Sequence, residues 1–568
     1  MSTTIPIECD EHNESNTLSI PPYTVYPQTK CGSRKYNLAS RETPDGSKTT
    51  WYFTNKKQCH KDAWLDVLDH ENIISCEYVS ENAFYPYFTP INSITDLTEE
   101  SIWSLARDVL HGISYLQTRR RRINAGKPYR GHGDIKPDNI VYDKSSDSYK
   151  LIDVEIYSGG TSEYISHETG EYDDVFSLGL TILQLLFKNI EQIRISDSQS
   201  QIIMENIIHI RDPRLQLFVR LCLDSTHTRP VLVDSLLCFL YVQWFISTSS
   251  SNIHTTIQTV LHCTVNEFST HIDKEKEYMF FHGDRFKLGS GAYKKIYLGF
   301  NLTDRTAHAY YFIQKPTDRE LNELLICNNK KTCQLIKLNK TDAFVVSKYY
   351  PIDLQRIISM RYSTTIDIYE LAKAILQFFD PDLLHRDIKP GNIMQDIDGH
   401  FELIDYGLAT SFKQRRKSVM GHVEGTTDFH STTLLGTSWY MAPELYLTES
   451  SVYPYSVKSD IYALGVVLLE SYFRENAFSF VNEKSNLRSR LTEWHTKNRF
   501  PELYGKLEDG PDKEFISYFV DGDPITRKSK EELLKIIEDR LTRRRGGRLL
   551  YTLKKRNRFH KSKRRYHQ

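Results

Sequence analysis

Residues 385–407 read HRDIKPGNIMQDIDGHFELIDYG. About 250 residues earlier, residues 132–155 read HGDIKPDNIVYDKSSDSYKLIDVE. Both stretches hold D-I-K-P-x-N-I, then a hydrophobic pair and an aspartate: Leu151-Ile152-Asp153 in one, Leu403-Ile404-Asp405 in the other. The first and last aspartates are 19 residues apart in the earlier copy and 18 in the later. An amphipathic helical pattern precedes each copy, through Ile102, Leu105, Val109, Ile113 and Leu116, and through Ile368, Leu371, Ile375 and Phe379. An apolar helix opening D-x-x-x-L-G follows each, from Asp174 to Gly179 and from Asp460 to Gly465. One architecture therefore occurs twice in this chain.

The later copy gathers a definite chemistry. Asp387, Lys389 and Asn392 project from one short loop restrained by Pro390. Together they can accept a proton from a hydroxyl, neutralise a transferring phosphoryl group and hold a metal ion. Asp405 follows a hydrophobic strand and precedes Gly407, so it can supply a second metal ligand where the backbone turns sharply. Upstream, Gly289-Ser290-Gly291 lies between Leu288 and the strand-like Ile296-Tyr297-Leu298. A glycine-rich turn between strands lets backbone N–H groups approach phosphates.

With these residues in place, the second half resembles a eukaryotic-type serine/threonine protein kinase. His385-Arg386-Asp387 with Lys389 and Asn392 matches the catalytic loop, Asp405-Tyr406-Gly407 stands for D-F-G, and Ala442-Pro443-Glu444 for A-P-E. Six fixed residues at about one in twenty each give a chance match of ~10⁻⁸ per position. The resemblance implies ATP and Mg²⁺ as cofactors and protein hydroxyls as substrate. Asp387 and Lys389 are then the catalytic pair, with Asn392 and Asp405 on the metal. Leu288, Gly289, Ser290, Gly291 and Ile296 would cover the nucleotide, with Lys315 anchoring its phosphates and Glu323 (or Glu320) pairing with Lys315. Asp460 would brace the catalytic loop and Arg527 would pair with Glu444. The third glycine of G-x-G-x-x-G is replaced by Lys294. Lys389, and Gly436-Thr437 ahead of Tyr440, resemble kinases that phosphorylate serine and threonine.

The first half keeps Asp134, Lys136, Asn139, Asp153 and Asp174, but Gly133 stands where the resemblance expects arginine. Asp153-Val154-Glu155 replaces D-F-G, and Ser166-His167-Glu168 replaces A-P-E. No G-x-G-x-x-G precedes its third strand, expected at WYFTNKK with Lys56 or Lys57, and a helix carboxylate is expected near Asp62. This half resembles a pseudokinase; a weak kinase is the alternative. The expected fold class is α+β: two bilobal protein-kinase-like domains in tandem, each a small β-rich N-lobe and a larger helical C-lobe. The expected domains are 20–248 (degenerate), 249–278 (linker), 279–540 (kinase) and 541–568, a basic disordered tail.

Composition agrees with this reading. A chain of 568 residues exceeds one compact core, and 73 basic against 73 acidic residues exclude polyanion binding by bulk charge. Nine cysteines without a C-x-x-C pair exclude a secreted disulfide scaffold and point to a reducing compartment. The apolar stretches Leu178–Phe187 and Leu232–Ile246 are shorter than the ~20 residues a membrane span needs, so they are expected as buried helices. The expected location is intracellular, cytoplasmic or nuclear, with no membrane partner. Residues 541–568 hold twelve Arg or Lys and no Asp or Glu, which suits an import receptor or a polyanion. The two kinase-like domains are expected to contact one another. A long segment between Asp405 and Glu444 offers Thr433 and Ser418 as phosphorylation sites that could pair with Arg386. The competing class is a non-catalytic scaffold using both folds as interaction surfaces.

Overall fold

The computed structural model describes residues 18–31, 34–54, 69–74, 77–79, 82–86, 88–94, 97–123, 131–152, 154, 173–187, 198–224, 230–249, 252–290, 295–315, 318–330, 332–337, 342–360, 365–380, 382–411, 429–431, 434–448, 453–482, 486–498 and 500–543. Two compact units divide the chain, Met1–His262 and Cys263–Gln568.

The first unit opens with a six-stranded antiparallel sheet in the order Leu18–Ile20, Tyr23–Cys31, Arg34–Glu42, Lys48–Thr54, Asn82–Pro86, Glu77–Val79. Tyr23 stacks on Phe84 at 3.9 Å between ring centroids and anchors a small apolar core with Val25 and Ala39. Lys56, Lys57 and Asp62 lie outside the described residues. Helix Glu99–Ile123 follows, and Ile102, Leu105, Val109, Ile113 and Leu116 are all fully buried along it. Their 3–4-residue spacing gives the helix one continuous apolar stripe. Helix Pro230–Ser247, apolar on every side, is enclosed by the unit, with Leu236, Phe239, Tyr241 and Phe245 at most 1% exposed. Among the described residues no helix is long and apolar enough to cross a membrane.

The second unit opens with a seven-stranded antiparallel sheet: Phe268–Asp273, Lys276–Phe281, Lys295–Asn301, Thr306–Gln314, Asp342–Lys348 and Cys333–Lys337, with Lys287–Ser290 paired to the start of Lys295–Asn301. Strand Thr306–Gln314 carries apolar residues on both faces, and those at its middle pack on each side while Phe312 is 52% exposed. Tyr310 joins Tyr278, Phe280, Phe344 and Val346 on one side. Tyr311 and Ile313 meet Leu324 of helix Asp318–Asn329 on the other. Here the sequence reading needs correction. The stretch 249–278 is not a linker: it holds helix Ile253–Val260 and the outer strands of this sheet. A boundary at 279 would cut strand Lys276–Phe281 through its buried face, which alternation alone did not reveal in the polar run before it.

The helical part of this unit contains Leu354–Ser359, Ile368–Leu376, Pro443–Tyr446, Val457–Phe473, Leu487–Asn498, Pro511–Val520 and a last helix over 530–543. Helices Val457–Phe473 and Pro511–Val520 meet at Gly465, where an added Cβ would lie 2.5 Å from Phe519 Cβ. The first unit repeats the device. Gly179 of helix Asp174–Leu186 touches Leu223 and Cys222 of helix Pro213–Leu223, with an added Cβ 2.9–3.0 Å from both. The glycine of each D-x-x-x-L-G thus sets a helix–helix distance. Arg527, 1% exposed, donates to both carboxylate oxygens of Glu444 at 2.9 and 3.1 Å and to the Lys458 and Asp521 carbonyls. This buried pair ties the A-P-E segment to the helical core.

Candidate active site

The loop after strand Leu383–Leu384 is built on hydrogen bonds rather than on secondary structure. Lys389 is extended (φ −157°), Pro390 opens a single 3₁₀ turn to Asn392, and the chain leaves through strand Ile393–Gln395. Buried Asp460, at the start of its helix, accepts the N–H of His385 at 2.8 Å and of Arg386 at 3.0 Å. The loop backbone is thereby fixed from below. His385 Nε2–H donates to the Ile404 carbonyl at 3.0 Å, and its Nδ1 faces the Asp387 N–H at 3.4 Å. The carbonyl selects the Nε2–H tautomer, which leaves Nδ1 as an acceptor. Burial pushes the His385 pKa down despite neighbouring carboxylates, so the ring stays neutral near pH 7.

All these supports converge on Asp387, which is 9% exposed. Its Oδ2 accepts Lys389 Nζ at 2.7 Å and Asn392 Nδ2 at 3.1 Å. Its Oδ1 accepts the Thr437 N–H at 3.0 Å and hydroxyl at 2.7 Å. Burial alone would raise this carboxyl, but the bonds from Lys389, Thr437 and Asn392 outweigh it and hold the pKa below the usual value. The group is ionised at neutral pH and can receive a proton. Thr437 reaches it only because Gly436 is glycine: φ is +111° there, and a Cβ would lie 2.4 Å from the Arg386 carbonyl oxygen. In the sequence the Gly436-Thr437 pair marks only the hydroxyl class, because the contact joins residues 50 positions apart.

Asn392 and Asp405 suit a hard cation. The Asn392 amide nitrogen is committed to the Asp387 carbonyl at 2.8 Å and carboxylate, which turns its Oδ1 outward with no donor among the described residues. Asp405 is exposed, in the left-handed region (φ 64°), and one oxygen accepts the Gly407 N–H at 3.3 Å. A carboxylate and a carboxamide oxygen are the ligands Mg²⁺ takes alongside phosphates and water.

The upper edge of the site is less complete. Leu288 and Gly289 lie on strand Lys287–Ser290, half-buried, with Gly289 opposite Ile296 in the ladder. Gly291 and the Ser290 side chain lie outside the described residues. Lys315 departs from its expected place. The strand ends at Gln314, and Lys315 sits beyond it, exposed, in a left-handed turn (φ 48°), with no ion pair among the described residues. The side chains this strand aims at the helix are Tyr311 and Ile313, as alternation from Ile313 requires. Glu323 is on helix Asp318–Asn329 with its side chain outside the described residues; Glu320 is half-buried there.

The first unit repeats the lower half of the site bond for bond. Asp174 accepts the N–H of His132 at 2.6 Å and of Gly133 at 2.9 Å, and His132 Nε2 meets the Ile152 carbonyl at 2.9 Å. Lys136 Nζ donates to Asp134 Oδ2 at 2.5 Å. Asn139 Nδ2 donates to the Asp134 carbonyl at 2.8 Å and to Oδ2 at 2.9 Å. Gly133, with φ 92°, holds the place of Arg386, with φ 67°. Asp153 and 155–172, which include Ser166-His167-Glu168, lie outside the described residues.

Comparison with known proteins agrees with this geometry. Residues 284–549 match the family model of the protein kinase domain. The chain is 27% identical over 226 residues to human eIF-2-alpha kinase GCN2, covering 37% of this chain and 13% of that protein. It is 34% identical over 111 residues to the sporulation-specific mitogen-activated protein kinase SMK1 of Saccharomyces cerevisiae, covering 20% and 27%. To Mitogen-activated protein kinase 13 of Bos taurus it is 24% identical over 290 residues, covering 45% and 73%. The matched stretch is thus a small part of the first of these relatives.

Proposed function

From a protein kinase domain at residues 284–549, we propose that the second unit transfers the γ-phosphate of ATP to serine or threonine hydroxyls of proteins. The observation that carries this reading is the convergence of Lys389, Asn392 and Thr437 on the Asp387 carboxylate. The substrate hydroxyl oxygen would form a bond to the γ-phosphorus while the bond to the β–γ bridging oxygen breaks. Asp387 takes the hydroxyl proton, and ADP leaves. Lys389 offsets charge on the phosphoryl oxygens, and Thr437 fixes the carboxylate rotamer. Mg²⁺, bound by Asn392 and Asp405, would neutralise the phosphates.

Asp387→Asn keeps the shape and removes the acceptor, so phosphotransfer to a protein substrate should fall about 10²–10⁴-fold. Radiolabel transfer from ATP measures it, and equal rates for wild type and Asp387→Asn overturn the reading. One observation favours the rival, a non-catalytic scaffold: the exposed Lys315 leaves the phosphate-anchoring position without its expected cation. The same assay decides between them.

The first unit is read as a degenerate kinase fold that regulates the second through contact with it. Thr433 and Ser418 lie outside the described residues. Arg386, their proposed partner, already donates to the Leu408 carbonyl at 2.7 Å and lies 5.6 Å from the Tyr455 ring centroid. A phosphate would have to compete with these contacts. Residues 541–568 are read as an import or polyanion-binding element; only their first three residues are described, at the end of the last helix.

A further inference from the structure

We propose that the second unit carries a docking groove for a partner protein's peptide segment, one that sets an aliphatic side chain among carboxylates. The groove is a cavity of about 490 Å³, within the ~300–1,000 Å³ span of ligand sites. Its apolar wall is Pro454, Val457, Ile461, Pro524 and Ile525. Lys458 and Lys530 line it too, from the starts of helix Val457–Phe473 and of the helix over 530–543. No residue of the loop 385–392 takes part, so the inference does not depend on phosphotransfer by this unit. Pro454 belongs to strand Tyr453–Tyr455 and stands opposite His430 of strand Phe429–Ser431, so the occupant lies one strand from that segment.

The two ammonium groups are set for an anion. Each is half-buried and bonds to the main chain, Lys458 to the Arg527 carbonyl and Lys530 to the Phe379 carbonyl at 2.5 Å. Neither forms an ion pair among the described residues, because the carboxylates at hand are taken. Arg527 holds Glu444 at 2.9 Å, Lys330 holds Asp380 at 2.9 Å, and Lys528 holds Glu532 at 3.3 Å. Burial, with Arg527 and Lys528 close by, pushes the Lys458 pKa below its ordinary value, as befits a cation short of negative charge. Glu531 is the one lining carboxylate without an ion pair among the described residues, and it is exposed, so it can turn into water. Ile525 decides the size of the occupant. It is 88% exposed, two residues from the 1% exposed Arg527. A small acid enclosed by the cavity would leave this aliphatic side chain in water, whereas a chain running past the rim covers it. Carboxylates for the lysines and an aliphatic side chain for the proline and isoleucine wall then give the segment its chemistry.

The test applies the labelled full-length chain to two arrays of short peptides. One array sets Ile, Leu, Val or Phe among Glu and Asp, and the other replaces every Glu and Asp by Lys. Binding to the acidic array should exceed binding to the basic one at least about tenfold. It should fall about tenfold in Ile525→Asp and in Lys530→Glu. Ile525 is exposed, and a glutamate suits the start of a helix, so both variants should melt as wild type does in calorimetry. Binding kept in both variants traces to the basic residues of 541–568 instead and overturns the inference. Equal binding to the two arrays, or to neither, overturns it as well. Dodecanoate, added to the free protein, covers the remaining occupant: its binding where no peptide binds assigns the groove to a small acid and also overturns the inference.

Discussion

Tyr406, in the D-Y-G triplet, carries a hydroxyl that its surroundings do not use. The side chain is 2% exposed, packed with Ile326, Cys327 and Ala409, and its hydroxyl has no hydrogen-bond partner among the described residues. Burial drives its pKa well above the ordinary phenol value, so the group is a neutral dipole in apolar surroundings. Tyr406→Phe should therefore stabilise the second unit by about 1 kcal/mol, the desolvation an unpaired hydroxyl forfeits. For a unit of this size that is a rise of roughly 2–4 °C in melting temperature, read by calorimetry. A second residue-scale prediction concerns His70. Burial, with His262 nearby, lowers its pKa from 6.5 to about 4, and its Nδ1 accepts the Asn72 N–H at 3.1 Å. Between these two values the unfolded chain binds a proton that the folded ring refuses, so the first unit loses stability as pH falls from 6.5 towards 4. Melting followed over that range should show the loss, and His70→Asn, which keeps an acceptor but not the titration, should flatten it.

At the scale of elements, the two D-x-x-x-L-G helices owe their packing to a missing methyl group. Ala in place of Gly within a helix gains about 1 kcal/mol of propensity. Against this, a Cβ at Gly465 would meet Phe519 Cβ and Val520 Cγ1 at 2.5 Å. The first of these atoms is held by backbone and cannot swing away. Overpacking costs about 1–3 kcal/mol or more, so the clash wins. Gly465→Ala should lower the urea midpoint of the second unit, and Gly179→Ala should lower that of the first by less, because its contacts are 2.9–3.0 Å rather than 2.5 Å and two of them are on the Leu223 side chain. A gain in stability for Gly465→Ala would mean that the helices can separate freely. The same scale explains the Lys315 mismatch. A strand's two-residue period gives its helix side to Tyr311 and Ile313, and the strand stops one residue before Lys315.

At the scale of the whole chain, each unit has to be cut where its core ends. Strand Phe268–Asp273 lies at the outer edge of the second sheet, and Tyr278, 1% exposed, belongs to the same apolar cluster as Phe280, Tyr310 and Phe344. Glu267 adds two bonds to Arg285 at 3.1 and 3.2 Å. A fragment of residues 263–543 should unfold cooperatively in a circular-dichroism melt. One of 279–543 loses Tyr278, whose burial alone is worth about 1.5–3 kcal/mol, and uncovers its neighbours. It should melt well below the longer fragment or fail to stay soluble. Equal melting temperatures would show the hairpin to be dispensable.

What the sequence by itself determined about this protein is the local and the repeated. The spacing of Asp387, Lys389 and Asn392 puts them in one loop whatever lies around it, because six residues restrained by a proline have few ways to run. The apolar period of 102–116 determined a buried helical stripe, and the doubling of the motif determined two units. Tertiary structure alone decided what distant segments do to one another. Thr437 reaches Asp387 from 50 residues away through a glycine that tolerates both φ 111° and contact with Arg386. Tyr278 is buried because strands from four parts of the chain close over it, and Lys315 is exposed because the ladder ends before it. Spacing along a chain is written in sequence, whereas approach between segments depends on volumes and backbone angles that no single segment contains.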